Sequence, residues 1–203
     1  NMTKVIGITG GIGSGKTTLC KHLKKKGYLV HDSDKFVSNI YKKPNKYFLK
    51  FLKKNVSKEV VQNDKINKIK VASIIFNKDE VRKKLEKYIH KEVKISRESF
   101  IKKNRKNNKG AIFVDIPLLL ENNLEKNFDI VVCVLSKKKL RTERVRKSKK
   151  FTKQILNKIF KSQTSDRDRR LRSQIIINNN KTKKDFIFSA ERVLMEFLKW
   201  EKL

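Results

Sequence analysis

Five short runs of apolar residues interrupt an otherwise polar chain. They cover Lys4–Thr9, Tyr28–His31, Ala111–Ile116, Ile130–Leu135 and Gln174–Ile177. Their apolarity is continuous rather than alternating, which is typical of strands that are covered on both faces of a parallel sheet. Strands of this kind that alternate with helical segments predict an α/β fold. We therefore expect a five-stranded parallel sheet flanked by helices.

The polar stretches between these runs place apolar residues three and four positions apart, which is the spacing of one helix face. This spacing predicts helices over Thr17–Lys26, Ser33–Tyr41, Leu140–Lys147, Thr152–Ser162 and Lys184–Trp200. The interval 42–109 differs because it has helical spacing but no strong strand pattern. We expect it to form a helical insertion in a core built from residues 1–41 and 110–203.

A glycine-rich segment follows the first predicted strand directly. Gly10–Thr17 reads Gly-Gly-Ile-Gly-Ser-Gly-Lys-Thr and matches the pattern G-x-x-x-x-G-K-[ST] in full. Such a loop turns its amide groups toward a phosphate, and the positive end of the following helix adds to the attraction. The motif predicts a nucleoside triphosphate site, with Lys16 on the phosphates and the Thr17 hydroxyl on Mg²⁺. The expected nucleotide contacts are Gly11, Ile12, Gly13, Ser14, Gly15, Lys16, Thr17 and Thr18.

Carboxylates follow two of the other predicted strands. Asp32 and Asp34 stand at the end of the second strand, and Asp115 ends the third. Strand ends on the carboxyl side of a parallel sheet face the ligand crevice. One carboxylate of the first pair could accept a proton from a substrate hydroxyl, although Asp32 or Ser33 could instead cap the next helix. Asp115 has the usual position of a carboxylate that supports Mg²⁺ or its water.

The chain carries a formal net charge of +33 over 203 residues. A charge of this size suggests nucleic acid as a partner, but a single-strand binder also needs aromatic residues on which bases stack. Only 8% of the residues are aromatic, and they recur on apolar faces. We expect most lysines to lie on solvated helix faces. Arginines over 141–146 and 167–172 could contact the phosphoryl group that is transferred.

These motifs together resemble the dephospho-CoA kinase family. The resemblance rests on Ile6–Thr17, on Asp32-Ser33-Asp34 and on Asp115–Glu121, which reads Asp-Ile-Pro-Leu-Leu-Leu-Glu. It runs from about Lys4 to Asn180. It implies a kinase with a P-loop core, a helical substrate insertion and a lid over about 141–170.

The resemblance also implies the reaction. ATP would donate its γ-phosphoryl group to the 3′-hydroxyl of dephospho-CoA, with Mg²⁺ as cofactor. Asp34 would act as base for that hydroxyl or orient it, and Lys16 and Arg144 would neutralise the transferring group. The implied substrate contacts are Asp32, Asp34, His90 and Leu118; Asn179 would lie near the adenine, and Thr17 and Asp115 would hold the metal.

Three positions depart from the family pattern. Lys91 replaces the proline that follows His90, and Ser173-Gln174 replaces Ala-Asp before the last strand. Ser148 stands where the lid usually has a second arginine. None of these positions belongs to the glycine-rich loop or to the carboxylates Asp32, Asp34 and Asp115.

Two other functions share part of this evidence. A nucleoside or nucleotide kinase would have the same loop but a different acceptor motif, and a nucleic-acid-binding NTPase would account for the charge. Two cysteines without metal-ligand spacing, and no apolar run of membrane length, favour a cytoplasmic protein. We expect no membrane association, no obligatory protein partner, and a monomer or weak homo-oligomer.

Overall fold

The computed structural model describes residues 3–106, 110–148 and 153–200. The chain divides into two compact units. The first unit comprises residues 1–31 and 101–203, and the second comprises residues 32–100. Residues 149–152 of the expected lid, and Thr152 of the predicted helix, lie outside the described residues. So do the first two and last three residues of the predicted core, and 107–109 of the predicted insertion.

A five-stranded parallel sheet forms the centre of the first unit, as the sequence predicts. Its strands lie in the order β2-β5-β1-β6-β7. β1 pairs with β5 on one side and with β6 on the other. In this register Ile8 is the neighbour of Asp115 on β5 and of Val132 on β6. The strands are β1 (Lys4–Gly10), β2 (Leu29–Asp32), β5 (Ala111–Asp115), β6 (Ile130–Leu135) and β7 (Ile175–Asn178). Every residue of β5 and β6 is buried, which explains their continuous apolarity.

Helices cover the sheet of the first unit. Leu19 and Leu23 on one face of α1, and Phe186 on α9, pack with Ile6 and Phe113 of the sheet in one buried cluster. The helices are α1 (Lys16–Lys25), α6 (Lys138–Lys147), α7 (Lys153–Ser162), α8 (Asp166–Leu171) and α9 (Lys183–Trp200). The apolar spacing predicts all of these except α8, whose six residues are too short to show a period. None of the helices in the described ranges is long and apolar enough to cross a bilayer.

The second unit contains helices and one small hairpin. The helices are α2 (Ser33–Lys42), α3 (Lys46–Asn55), α4 (Lys68–Asn77) and α5 (Asp79–Arg105), whose residues after Phe100 belong to the first unit. The hairpin pairs β3 (Val61–Gln62) with β4 (Lys65–Ile66). The core of the second unit joins Phe48, Leu52 and Val71 with Leu85. The Tyr88 ring stacks on the Phe51 and Phe48 rings, with centroids 4.3 and 5.4 Å away.

The two cysteines belong to the buried interior of the first unit. Cys20 and Cys133 are both free thiols. Burial raises the pKa of the Cys133 thiol to about 11. Both side chains therefore act as small apolar groups in the core.

Candidate active site

The glycine-rich loop connects β1 to α1 and leaves several amides without a helical partner. Ser14 N–H donates to the Gly11 carbonyl at 3.0 Å, and Thr18 N–H donates to the Gly15 carbonyl at 3.0 Å. Gly15 begins α1 with φ of +111°, a left-handed conformation that suits glycine. The first turn of α1 contains no acidic residue, so its positive end is available to an anion. We call Gly10–Thr17 the phosphate cradle.

Lys16 and Asp115 form an ion pair at this loop. The Lys16 Nζ lies 2.7 Å from the Asp115 Oδ1, and the side chains are only 11% and 4% exposed. Asp115 ends β5 in the register that sets it beside Ile8 of the neighbouring strand β1. The sheet therefore brings together two residues that are 99 positions apart. Both had been predicted as site residues.

Arg144 and Asn179 hold the phosphate cradle from the side of α6 and β7. The Asn179 amide donates to the Ser14 carbonyl at 2.8 Å and is buried. The Arg144 guanidinium donates to the carbonyls of Gly13 at 3.3 Å and Asn179 at 3.0 Å. It also donates to the Ser136 hydroxyl at 3.0 Å. Within the described part of the chain no carboxylate pairs with Arg144, so its positive charge remains uncompensated beside the cradle.

A second set of side chains lies against Gly11. The Ile12 N–H donates to the Gln163 Oε1 at 3.1 Å. A Cβ on Gly11 would overlap the Arg141 Nη1 and would lie 3.1 Å from the Arg169 Nη1. Arg169 is buried and binds Glu121 at 3.3 Å, and Glu121 Oε1 also accepts the Thr164 N–H at 2.8 Å. The segment that follows α7 therefore closes one side of the phosphate cradle.

The expected Mg²⁺ ligands can be judged by their donor chemistry. The Thr17 hydroxyl is exposed, and Asp115 supplies a buried carboxylate beside Lys16. Mg²⁺ prefers hard oxygen ligands and commonly takes one or two protein oxygens with substrate phosphates. No cluster of three acidic, histidine or cysteine ligands occurs in the described residues. The two oxygens therefore fit a metal that is bound together with a nucleotide, rather than a metal held by protein alone.

The predicted substrate contacts are distributed over both units. In the second unit, Asp32 caps α2 by accepting the Lys35 N–H at 2.9 Å, which is the capping role the sequence left open. Asp34 lies exposed in the first turn of α2, and His90 lies exposed on α5. In the first unit, Leu118 follows β5 and is 41% exposed.

Sequence reasoning gave no role to Gln163 or Glu121. It included Arg141 and Arg169 only as members of two groups of arginines that could contact the transferred phosphoryl group. Gln163 and Glu121 lie in segments that resemble the family, so their place in those segments was a usable signal. Arg141 and Arg169 belong to two groups of arginines whose members look alike in sequence. Only the packing of α6 and α8 shows which of them face the cradle.

Comparisons with known proteins agree with this geometry. The family model described as dephospho-CoA kinase matches residues 4–185. The dephospho-CoA kinase of Fusobacterium nucleatum is 33% identical over 199 residues, covering 93% of this chain and 95% of that protein. The dephospho-CoA kinase of Oceanobacillus iheyensis is 32% identical over 202 residues, covering 97% and 98%.

A solved structure shows the same fold. The dephospho-CoA kinase from Campylobacter jejuni superposes with a TM-score of 0.74 at 24% identity, covering 98% of this chain and 100% of that chain. The parallel sheet and the phosphate cradle thus define an ATP-dependent P-loop kinase. With the family model matching most of its length, the chain belongs to the dephospho-CoA kinase family.

Proposed function

We propose that this chain transfers the γ-phosphoryl group of ATP to the 3′-hydroxyl of the dephospho-CoA ribose, giving CoA and ADP. This is the last step of coenzyme A synthesis. The observation that carries the proposal is the Lys16–Asp115 pair, set in a complete phosphate cradle within the 4–185 segment that the family model matches. The cradle accounts for the donor, and the family match accounts for the acceptor.

The donor side has groups suited to a phosphate chain. The amides of the loop and the positive end of α1 are proposed to bind the phosphates. Lys16 lies at the loop with its charge held by Asp115, and Arg144 adds a charge that no described carboxylate neutralises. Positioned positive charge stabilises the transferring group, and such positioning supplies most of the acceleration in phosphoryl transfer. Asn179 holds the loop on the side proposed for adenine.

The acceptor side depends on the substrate contacts predicted from the sequence. Asp34 is proposed to accept the proton of the 3′-hydroxyl as that oxygen bonds to the γ-phosphorus. The bond between the γ-phosphorus and its bridging oxygen breaks, and ADP leaves. Asp32, His90 and Leu118 are proposed to contact dephospho-CoA. The exposure of Asp34, His90 and Leu118 supports this assignment, because a substrate can reach them.

We also propose that Thr17 and Asp115 hold Mg²⁺ together with the nucleotide. Their hydroxyl and carboxylate oxygens are the donors that the ion prefers. When bound, Mg²⁺ neutralises charge on the β- and γ-phosphate oxygens. Asp115 would then divide its interactions between Lys16 and the metal or a water bound to it.

A comparison of acceptors tests the proposed function. ADP release from MgATP is measured by a coupled assay with dephospho-CoA, and with AMP, CMP and shikimate as matched alternatives. We expect rapid ADP release with dephospho-CoA and only background release with the other three. A response to AMP or CMP that exceeds the response to dephospho-CoA would assign the chain to the nucleotide kinases instead.

The proposal also covers the location, oligomeric state and partners of the protein. We propose that it works in the cytoplasm as a monomer or weak homo-oligomer, without an obligatory protein partner and without a nucleic-acid partner. The two buried free thiols support a reducing compartment.

A further inference from the structure

The helix α6 places one arginine against the phosphate cradle. The Arg141 carbonyl lies 2.7 Å from the point where a Cβ on Gly13 would stand. Its side chain runs to Gly11, where the missing Cβ leaves space for Nη1. Arg141 is 6% exposed, so this guanidinium is almost completely buried. A buried cation therefore lies in contact with a loop whose function is to hold an anion.

The protein compensates this cation only in part. The Arg141 Nη2 lies 3.6 Å from Asp166, whose side chain is 43% exposed and also binds Arg169 at 3.1 Å. The guanidinium lies over the Phe160 ring at 5.2 Å. The buried Nε has no hydrogen-bond partner in the described residues. A buried donor of this kind carries a desolvation cost that a ligand oxygen would relieve.

The surrounding charges favour an anion. Burial lowers the pKa of Arg141; Asp166 opposes this shift, and the neighbouring Arg169 adds to it. Two buried guanidinium groups thus share Asp166, and Glu121 adds one further carboxylate on Arg169. A residue that only braced the fold would be expected to have its donors matched by protein acceptors. Arg141 instead keeps a buried Nε–H that no described residue accepts, on a guanidinium whose Nη1 lies against Gly11.

We propose that Arg141 is a second phosphate-binding arginine of this site, and that it contacts the triphosphate of ATP from the Gly11 side. This deepens the proposed function and rests on its ATP half alone. Arg144 lies on the Gly13 side, so the two arginines would approach the phosphate cradle from two directions. The planar guanidinium suits this role because it can bind phosphate oxygens with two donors at once.

The test measures binding without any acceptor. Titration calorimetry gives the Kd of MgATP and of inorganic tripolyphosphate for the wild type, Arg141→Gln, Arg141→Lys and the control Lys147→Gln. Lys147 is exposed on the same helix, so its variant removes one charge away from the cradle. We expect Arg141→Gln to raise both Kd values about 10- to 100-fold, as expected for loss of a charged hydrogen bond. Arg141→Lys should recover part of the loss, and Lys147→Gln should stay within twofold.

A measurement on the wild type makes the test independent of how the variants fold. In the ¹⁵N spectrum, the Nε–H signal of Arg141 should shift when MgATP or tripolyphosphate is added, and should not shift with adenosine. Unchanged Kd values in Arg141→Gln would overturn the proposal. So would an Nε–H signal that shifts with neither MgATP nor tripolyphosphate. Failure of the acceptor assignment would leave these results unaffected, since no acceptor is present.

Discussion

The phosphate cradle and the predicted acceptor residues differ in how the protein holds them. In the first unit, Lys16, Asp115 and Asn179 are buried or nearly so, and each has a named partner within 2.8 Å. In the second unit, Asp34 and His90 are exposed on helix surfaces. Neither has a polar side-chain partner within the part of the chain that the structure describes. The cradle is thus preorganised, whereas the side chains of Asp34 and His90 are free of such contacts with the described residues.

The two regions also differ in what stabilises them. The cradle is held by hydrogen bonds to carbonyls, such as those from Arg144 and Asn179. The second unit is held by an apolar core. In this core the Phe48 side chain is 2% exposed, and its ring stacks on the Tyr88 ring. A change in the cradle should therefore affect nucleotide binding and turnover. A change in the apolar core of the second unit should affect stability first.

The largest effect is expected from Lys16→Ala. Loss of the amine removes the charge proposed to stabilise the transferring group and leaves Asp115 buried without its Lys16 partner. We expect kcat/KM for dephospho-CoA to fall about 10³-fold, measured with saturating MgATP. The exposed Lys25 on the same helix provides the control, and Lys25→Ala should keep normal turnover. A kcat/KM for Lys16→Ala within tenfold of the wild-type value would contradict the proposed role of the phosphate cradle.

The second-largest effect on turnover is expected from Asp34→Asn. Asp34→Asn keeps the size of the side chain and removes the proposed base, so kcat should fall about 10²- to 10³-fold while the Kd of MgATP stays the same. Pre-steady-state quench measurements separate the chemical step from product release. Asp64→Asn is the control, because Asp64 is an exposed aspartate in the hairpin turn of the same unit. Near-normal kcat in Asp34→Asn would show that another group takes the proton.

Gly11→Ala tests the close packing around the cradle. The added Cβ would overlap Arg141 and crowd Gln163, at a cost of about 1–3 kcal/mol. We expect the Kd of MgATP to rise about 10- to 100-fold, with little change in the circular dichroism spectrum. Gly27→Ala is the control because nothing lies within 4 Å of its Cβ position, although its φ of +88° adds local strain. Equal ATP affinity in Gly11→Ala and the wild type would contradict the crowding at Gly11.

The smallest functional effect is expected from Phe48→Leu. It leaves a gap in the core of the second unit and should lower the free energy of unfolding by about 1–2 kcal/mol in a urea titration. The Kd of MgATP should stay within twofold, because Phe48 is not among the residues that form the cradle. Phe76→Leu, at an 86% exposed position, should change neither quantity. A large loss of ATP affinity in Phe48→Leu would contradict the division between donor site and apolar core.

Local patterns were sufficient to predict most of the fold. The sheet buries every residue of Ile130–Leu135, so the run had to be apolar throughout and could be recognised. The hairpin was missed because each strand has only two residues. Its turn residues Asn63 and Asp64 have positive φ, and the Asn-Asp pair was the available signal.

The candidate site, like the fold, could be predicted from the sequence only in part. The cradle is continuous in sequence, and Asp115 could be placed because it ends a strand. Gln163 lies 151 positions from Ile12, and Arg141 reaches Gly11 only because α6 packs against Gly13. Contacts of this kind depend on tertiary packing, which a single sequence does not specify. Arginines that look equivalent in sequence therefore become distinct only in the folded protein.

The identity of the product tests the proposed transfer to dephospho-CoA directly. Purified protein is incubated with MgATP and dephospho-CoA, and the acceptor is followed by ³¹P NMR. We expect a new phosphomonoester signal at the ribose 3′ position, growing at the same rate as ADP and absent with Lys16→Ala. Formation of ADP without that signal, or a phosphate at another position, would contradict the proposed transfer.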